Sequence, residues 1–402
     1  MPDSPRLSPG LSVSGDRPGR FPRRRRATLR AVPKPAVVVV GAGLIGSAVA
    51  WELASRGAVV SVFDAREPGF GATQASAGML APFTEVRASG PFESLCIEGL
   101  AVYDDFVARL RRETDAAFEF TRCGSLELAL DDAGLAHLRT EHARVTSWPA
   151  AGAEWLDAAG VARRQPGLSE DVRGGLLLAG QGRVAPADFT SAMVAAARRA
   201  GAVVTAGAPV SRLTRRSGGY EVHAGGMRVE ADVVVMSAGS WVGRIDIGEP
   251  VAPGVRPIRG QVLLLRPRLP VTSRILWGPR CYLVPRADGC LLVGATVEDV
   301  GFDESTTIAG LSGLMRAAIE LVPALADAAL VEVRAGLRPV TRDELPVLGA
   351  RAGEPGLVYA AGHYRNGALL APITARIVAD AILDGRRHPA LDALGPDRPT
   401  LL

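Results

Sequence analysis

Cysteine is scarce: Cys96, Cys123, Cys281 and Cys290 are the only four in 402 residues. None sits in a CxxC pair, and their spacing suits neither a zinc site nor a disulfide framework. No metal is expected, and reduced thiols in a cytoplasmic protein are the natural reading. Long hydrophobic runs are also missing. No stretch of 18 apolar residues exists, so no membrane-spanning helix is expected. Large apolar residues are nearly absent from the first 35 positions, which are rich in Pro, Ser, Gly and Arg. Such a segment cannot bury a core and is expected to be a disordered basic tail.

The tail also explains the charge. It holds eight Arg, Lys34 and two acids, a net of +7, while the whole chain carries +4. Residues 36–402 therefore carry −3, and no nucleic-acid surface is inferred from the basic pI. Arg23 to Arg26 resemble part of an export or targeting signal, but no apolar segment follows them, so export is not expected. The remaining length suits two domains, and a body of this size buries about three quarters of its unfolded surface without any staple.

Residues 36–40 (AVVVV) are an apolar, β-branched run suited to a strand covered on both faces. A Gly-rich turn, a helical stretch from Ser47 to about Arg56 and a second strand at 58–63 complete a βαβ unit. Further helices are expected at about 91–113, 188–200, 311–321 and 370–384. Strands are expected at 124–130, 202–206, 261–265, 290–295 and 357–361, with short strands between Val210 and Val235.

GAGLIG, Gly41–Gly46, follows the first strand and opens the helix, and Asp64 ends the second strand. In that context the motif is a dinucleotide fingerprint. Gly41 permits the tight turn, Gly43 lets backbone approach a pyrophosphate, and Gly46 packs helix on strand. Asp64 is the expected acceptor for a ribose diol. The small residues of Gly71–Met79 (GATQASAGM) would let amides approach a bulky flat ligand, and Thr73 offers a hydroxyl to phosphate. NAD-binding halves usually continue with another βα unit, so this stretch favours FAD. Ala238–Gly239 and Ala360–Pro372 supply two more places where backbone passes close to a cofactor, the latter with a helix N-terminus behind it.

Together these elements resemble the D-amino-acid-oxidase-like family of FAD enzymes, most closely its glycine oxidase branch, over about residues 36–390. The specific pieces are GATQASAGML, CYLVPR (Cys281–Arg286), VGAT (Val293–Thr296), AGLRP (Ala335–Pro339) and GHYRNG (Gly362–Gly367). The resemblance implies an α/β fold in which a Rossmann-like FAD-binding domain is interleaved with a mostly antiparallel α+β substrate domain. The expected segments are 36–84, 152–247 and 332–390 for the cofactor, and 85–151 and 248–331 for the substrate. It carries FAD contacts onto Leu44, Ile45, Asp64, Ala65, Ala72, Thr73, Ala77, Gly78 and Met79. Val210 would touch the adenine end, and His363, Tyr364, Arg365, Asn366, Gly367, Ala368 and Leu369 would wrap the isoalloxazine. Relatives with covalent flavin attach it through a C-terminal cysteine. No cysteine follows Cys290, so the FAD is expected to be non-covalent.

Arg338 and Arg365 fall where the family clamps the substrate carboxylate, and Tyr282 would add a hydroxyl. Arg suits this role because its planar fork pairs both oxygens. The structural alternative for Arg338 is an ion pair with Asp343 or Glu344. His363 is more simply a hydrogen-bonded structural residue than a base. Val297 and Arg280 are expected to line or border the pocket. The implied reaction oxidises the C–N bond of glycine or an N-substituted glycine, reduces O₂ to hydrogen peroxide, and hydrolyses the imine or passes it to thiamine synthesis. A sarcosine-oxidase-like secondary amine oxidase and a D-amino-acid dehydrogenase with a non-oxygen acceptor stay open, as does a homo-oligomer.

Overall fold

A computed structural model describes residues 34–86, 88–248 and 253–401; the basic tail, residues 1–33, lies outside the described residues. Strand Ala36–Val40 is interior to a six-stranded sheet ordered 347–351, 354–361, 233–236, 36–40, 59–63, 203–205. Neighbours are parallel except the outermost 347–351/354–361 pair. The valine run fits because both faces are covered. Val37 and Val39 join the core beneath the helices, while Val38 and Val40 pack with Leu213 and Tyr220 on the other side.

Helix α1, Leu44–Ser55, is packed against α2, Pro186–Arg199, and α3, Gly367–Asp384. A second, eight-stranded sheet runs 329–340, 256–266, 291–294, 282–285, 275–277, 125–129, 174–178, 153–157. It is antiparallel apart from the 275–277/125–129 pair. Together the two sheets and their helices form the mixed α/β arrangement that the sequence suggested.

Several elements differ from expectation, each for a local reason. The stretch 91–113 is two helices, Pro91–Ala101 and Tyr103–Glu113, parted at Val102. The run 227–236 divides at Asp232, whose carboxylate accepts from the Ala36 amide at 2.7 Å. Residues 227–231 join a three-stranded meander, and 233–236 join the parallel sheet. Helix α3 starts at Gly367 rather than Leu370 and contains Pro372. A proline lacks the N–H that would meet Ala368 O one turn back. Tyr103 Oη donates to that carbonyl instead, at 2.7 Å.

The segment 364–384 is long and apolar enough to cross a membrane by length and composition. Here it is a core helix packed against α1 and the helix Pro91–Ala101. Helices Asp132–Val145 and Ala158–Arg164 and strands 153–157, 174–178 and 329–340 were not expected. Strand 174–178 is buried but opens on two glycines, and 153–157 and 329–340 are largely half-exposed, so clean alternation marks none of them. Residues 153–178 and 329–340 contribute strands to the large sheet, so sheet membership departs from the expected segmentation at its 152 and 332 boundaries.

Candidate functional site

Gly41 has φ +99°, and an ideal Cβ there would stand 2.6 Å from Ser237 O. A side chain at Gly46 would meet Gly41 O at 1.9 Å, so glycine lets α1 seat against the turn. Gly43 caps α1 without a side chain, leaving that end of the helix open toward a cleft of about 520 Å³. Thr73 Oγ1 accepts from the Leu44 amide at 3.2 Å. The hydroxyl thus ties the loop 71–79 to the helix end, and its own proton remains for an anion. Asp64 works in the same way: Oδ2 accepts from Ala42 N at 2.6 Å and Oδ1 from Arg66 N at 2.9 Å. The carboxylate that was expected to hold a ribose also fixes the glycine turn.

These features fit a dinucleotide. A helix N-terminus without a side-chain cap, glycines packed against backbone, and an acid at the end of the second strand all border one cleft. Ala65 and Val210 line it nearby. So does Arg66, which lies 4.7 Å over the Trp241 ring and pairs with Glu304 at 2.9 Å. Nothing in the sequence periodicity pointed to Arg66 or Trp241.

At the other end, strand 282–285 presents Tyr282 and strand 329–340 presents Arg338, both lining the cleft. Glycines clear the way for both. A Cβ at Gly260 would lie 2.2 Å from Arg338 Nη1, and one at Gly294 would lie 2.5 Å from Tyr282 Oη. Arg338 Nη1 donates to Thr296 O at 3.1 Å and Arg259 O at 3.4 Å. Both backbone bonds use one nitrogen, and the guanidinium also lies within hydrogen-bonding reach of the Tyr282 hydroxyl.

Asp343, the alternative partner for Arg338, is held by Arg398 at 2.7 and 2.9 Å. Hydrogen bonds from Arg398 and Thr400 outweigh its burial and hold Asp343 well below the usual carboxylate range. Among the described residues, no carboxylate comes within ion-pair distance of Arg338. Burial pushes the Tyr282 phenol up, and the positive charge of Arg338 offsets part of that rise.

Arg365 stands 3.8 Å from Glu85 Oε2, with Glu85 almost buried and Arg365 half-exposed. Glu85 lines the cleft and was missed, because it lies on a four-residue helix, Pro82–Glu85, with no motif to mark it. His363 is buried, and its Nε2 shares a hydrogen bond with Thr374 Oγ1 at 3.0 Å. Burial pushes its pKa down to about 3, so the ring is neutral near pH 7.

The cleft gathers every expected residue except Gly46, Asn366 and Leu369. Gly46 packs behind the turn. Because α3 begins early, Asn366 becomes its N-cap and Leu369 turns into the core, with its carbonyl near Gly99. Val297 and Arg280 line the cleft as expected, and Trp277 and Ser76 join them.

Residues 36–381 match the family model described as FAD dependent oxidoreductase. The chain is 37% identical over 363 residues to the bifunctional protein ThiO/ThiG of a Nostoc species, covering 88% of this chain and 54% of that relative. It therefore spans about half the length of that protein. The crystal structure of glycine oxidase from Geobacillus kaustophilus superposes with a TM-score of 0.86 at 31% identity, over 91% of this chain and 99% of that one. Iminodiacetate oxidase from Chelativorans sp. BNC1 superposes with a TM-score of 0.81 at 27% identity, over 90% and 98% of the two chains. With a cleft built for a dinucleotide and a family match across most of its length, the chain belongs to the FAD dependent oxidoreductases of the D-amino-acid oxidase type.

Proposed function

We propose that this protein oxidises the C–N bond of a small amino acid, glycine or an N-substituted glycine. The observation that carries the reading is Arg338, a cation with no acid partner among the described residues, seated beside Tyr282 in the cleft that also holds the dinucleotide cradle. Bound FAD supplies the hydride acceptor, and O₂ then takes the electrons to give hydrogen peroxide. Arg338 pairs the substrate carboxylate, and Tyr282 adds a hydroxyl donor to the same group. Holding the carboxylate fixes where Cα–H points, so position supplies most of the rate. Glu85 neutralises part of the charge on Arg365 and leaves Arg338 the stronger anion holder. The N-terminus of α3, where Gly367 and Ala368 border the cleft, favours negative charge beside it.

Val297 and the resemblance to iminodiacetate oxidase, whose substrate is an N-substituted glycine, favour a secondary amine as the better substrate. The imine is hydrolysed or handed on toward thiamine synthesis. A cytoplasmic site agrees with four unpaired cysteines, and non-covalent FAD with the lack of any cysteine after Cys290. Acid precipitation should release yellow flavin into the supernatant. A panel of glycine, sarcosine, longer N-alkylglycines and D-amino acids, scored for peroxide, tests the reading. Flavin reduction without peroxide would point to another electron acceptor, and no reduction by any of them would overturn the proposal.

A further inference from the structure

The face of the large sheet that carries Tyr282 and Arg338 continues past them into a second cavity of about 610 Å³. Four residues on from Tyr282 along the same strand direction comes Arg286, and four residues back from Arg338 comes Arg334. At about 3.3 Å per residue each is roughly 13 Å away and on the same face. Between the two ends lies an apolar band. Leu264 pairs with Leu292, which pairs with Val284, and Val262 pairs with Gly294. Leu292, Leu264 and Val262 line the second cavity. Its wall toward the main cleft is the turn Ala72–Ala75 and the residue after it, since Thr73 and Ser76 line both.

The charges around this cavity are unevenly matched. Glu332 is held by Arg334 through both oxygens at 2.6 Å. Glu119 is taken by Arg183. Asp288 accepts from the Cys290 amide at 2.9 Å, and Asp188 is exposed in the first turn of α2. Arg286 makes no ion pair or side-chain hydrogen bond among the described residues, yet it lines the cavity. Behind it, Arg183 is 5% exposed with Nε and Nη1 unpartnered. Burial, together with the neighbouring charge of Arg183, pushes the pKa of Arg286 down to about 10. Helix α2 also begins here, with Ala185 and Pro186 on the wall and no side-chain cap.

We propose that this cavity is a second ligand site, headed by Arg286, for a carboxylate that carries a short apolar body. The carboxylate gives the guanidinium a direct partner, which Glu119 and Asp288, close enough to feel its charge but hydrogen-bonded elsewhere, do not. The apolar body covers Leu264, which is partly exposed above the already buried Val262 and Leu292. An inorganic anion would satisfy only the first of these. Because binding is read directly and not through turnover, this inference stands or falls independently of the proposed reaction.

The test is calorimetric titration of the full-length, FAD-loaded protein with hexanoate and with acetate. Hexanoate should bind, and each added methylene from acetate should tighten binding about threefold to fourfold. Arg286→Gln should weaken hexanoate at least tenfold, and it should do so equally when Arg338→Gln has removed the carboxylate clamp of the main cleft. Leu292→Phe, which fills the floor without touching charge, should also abolish it and serves if Arg286→Gln does not fold. Loss with Arg338→Gln but not with Arg286→Gln would move the probe to the substrate clamp and overturn the proposal. Equal binding of acetate and hexanoate, retention in Leu292→Phe, or no heat at millimolar hexanoate would each overturn it too.

Discussion

The guanidinium of Arg338 occupies the space that a side chain at Gly260 would need: an ideal Cβ there falls 2.2 Å from Nη1 and 2.3 Å from Cζ. The obstruction is the flexible end of a side chain, not backbone. Gly260→Ala should therefore fold and load FAD, but Arg338 must swing away from Thr296 O. We expect kcat/KM to fall at least tenfold with little change in flavin content, because a shift of about 1 Å at a positioning group costs on that order or more. Wild-type kinetics in this variant would show that the clamp does not depend on where Arg338 rests.

Removing the guanidinium itself should be more severe. Truncating one partner of a buried charge pair costs about 2–5 kcal/mol, on the order of 30- to several-thousand-fold. Arg338→Ala should lose that much kcat/KM, mostly as a higher KM, while keeping its FAD. Arg338→Lys should recover only part, since a point charge cannot hold two oxygens in one plane. Steady-state kinetics on glycine and sarcosine would decide it, and full activity in either variant would place the clamp elsewhere.

Asp64 fixes the glycine turn, and substitutions can test whether it also holds the ribose as proposed. Its oxygens hold Ala42 N and Arg66 N at 2.6 and 2.9 Å, so Asp64→Ala loosens the glycine turn and removes a ribose acceptor together. Flavin absorbance per protein should drop sharply after gel filtration. Asp64→Asn keeps a single acceptor oxygen and should retain more FAD than Asp64→Ala. Equal, wild-type flavin content in both would remove Asp64 from the cofactor site.

His363 gives a pH signature in stability rather than in turnover. Its folded pKa, pushed down to about 3 by burial, lies below the ordinary value of about 6.5. Between those values the unfolded chain binds the extra proton, so stability declines as pH falls through that window, by up to about 1.4 kcal/mol per unit. Thermal melts from pH 7 down to about 4 should be flatter for His363→Gln than for wild type. The kcat/KM profile should show no His363 ionisation between about pH 5 and 8. Identical melting slopes would mean the ring is not buried neutral.

The nucleotide end was legible because its constraints are local. Gly41, Gly43 and Asp64 sit at fixed spacing within one βαβ unit, and the apolar run 36–40 announces a strand covered on both faces. The reacting end was legible only through resemblance, since Tyr282 and Arg338 come from strands that the sheet, not the sequence, brings together. Glu85, Trp241 and Arg66 were invisible for the same reason: each is an ordinary residue until a distant element faces it. The start of α3 was placed at Leu370 because Gly367 reads as a turn residue, and Pro372, inside the helix, has its broken hydrogen bond replaced by Tyr103, more than 260 positions away.

Val297 offers the sharpest test of substrate choice. It lines the cleft and is 55% exposed, so a short branched side chain stands at the pocket where a longer one would fill space. Hydride loss from Cα needs a neutral amine and a held carboxylate, and neither requirement forbids an alkyl group on nitrogen. If that group lies against Val297, each buried methylene contributes about 0.8 kcal/mol. kcat/KM should then rise several-fold per carbon from glycine through sarcosine to N-ethylglycine, until the space is full. Val297→Met should occupy the same volume and narrow the preference, with glycine almost unaffected because it buries nothing there. Should the wild-type enzyme favour glycine and ignore the length of the N-alkyl group, the open space beside Val297 has no part in selection, and the substrate is the primary amine.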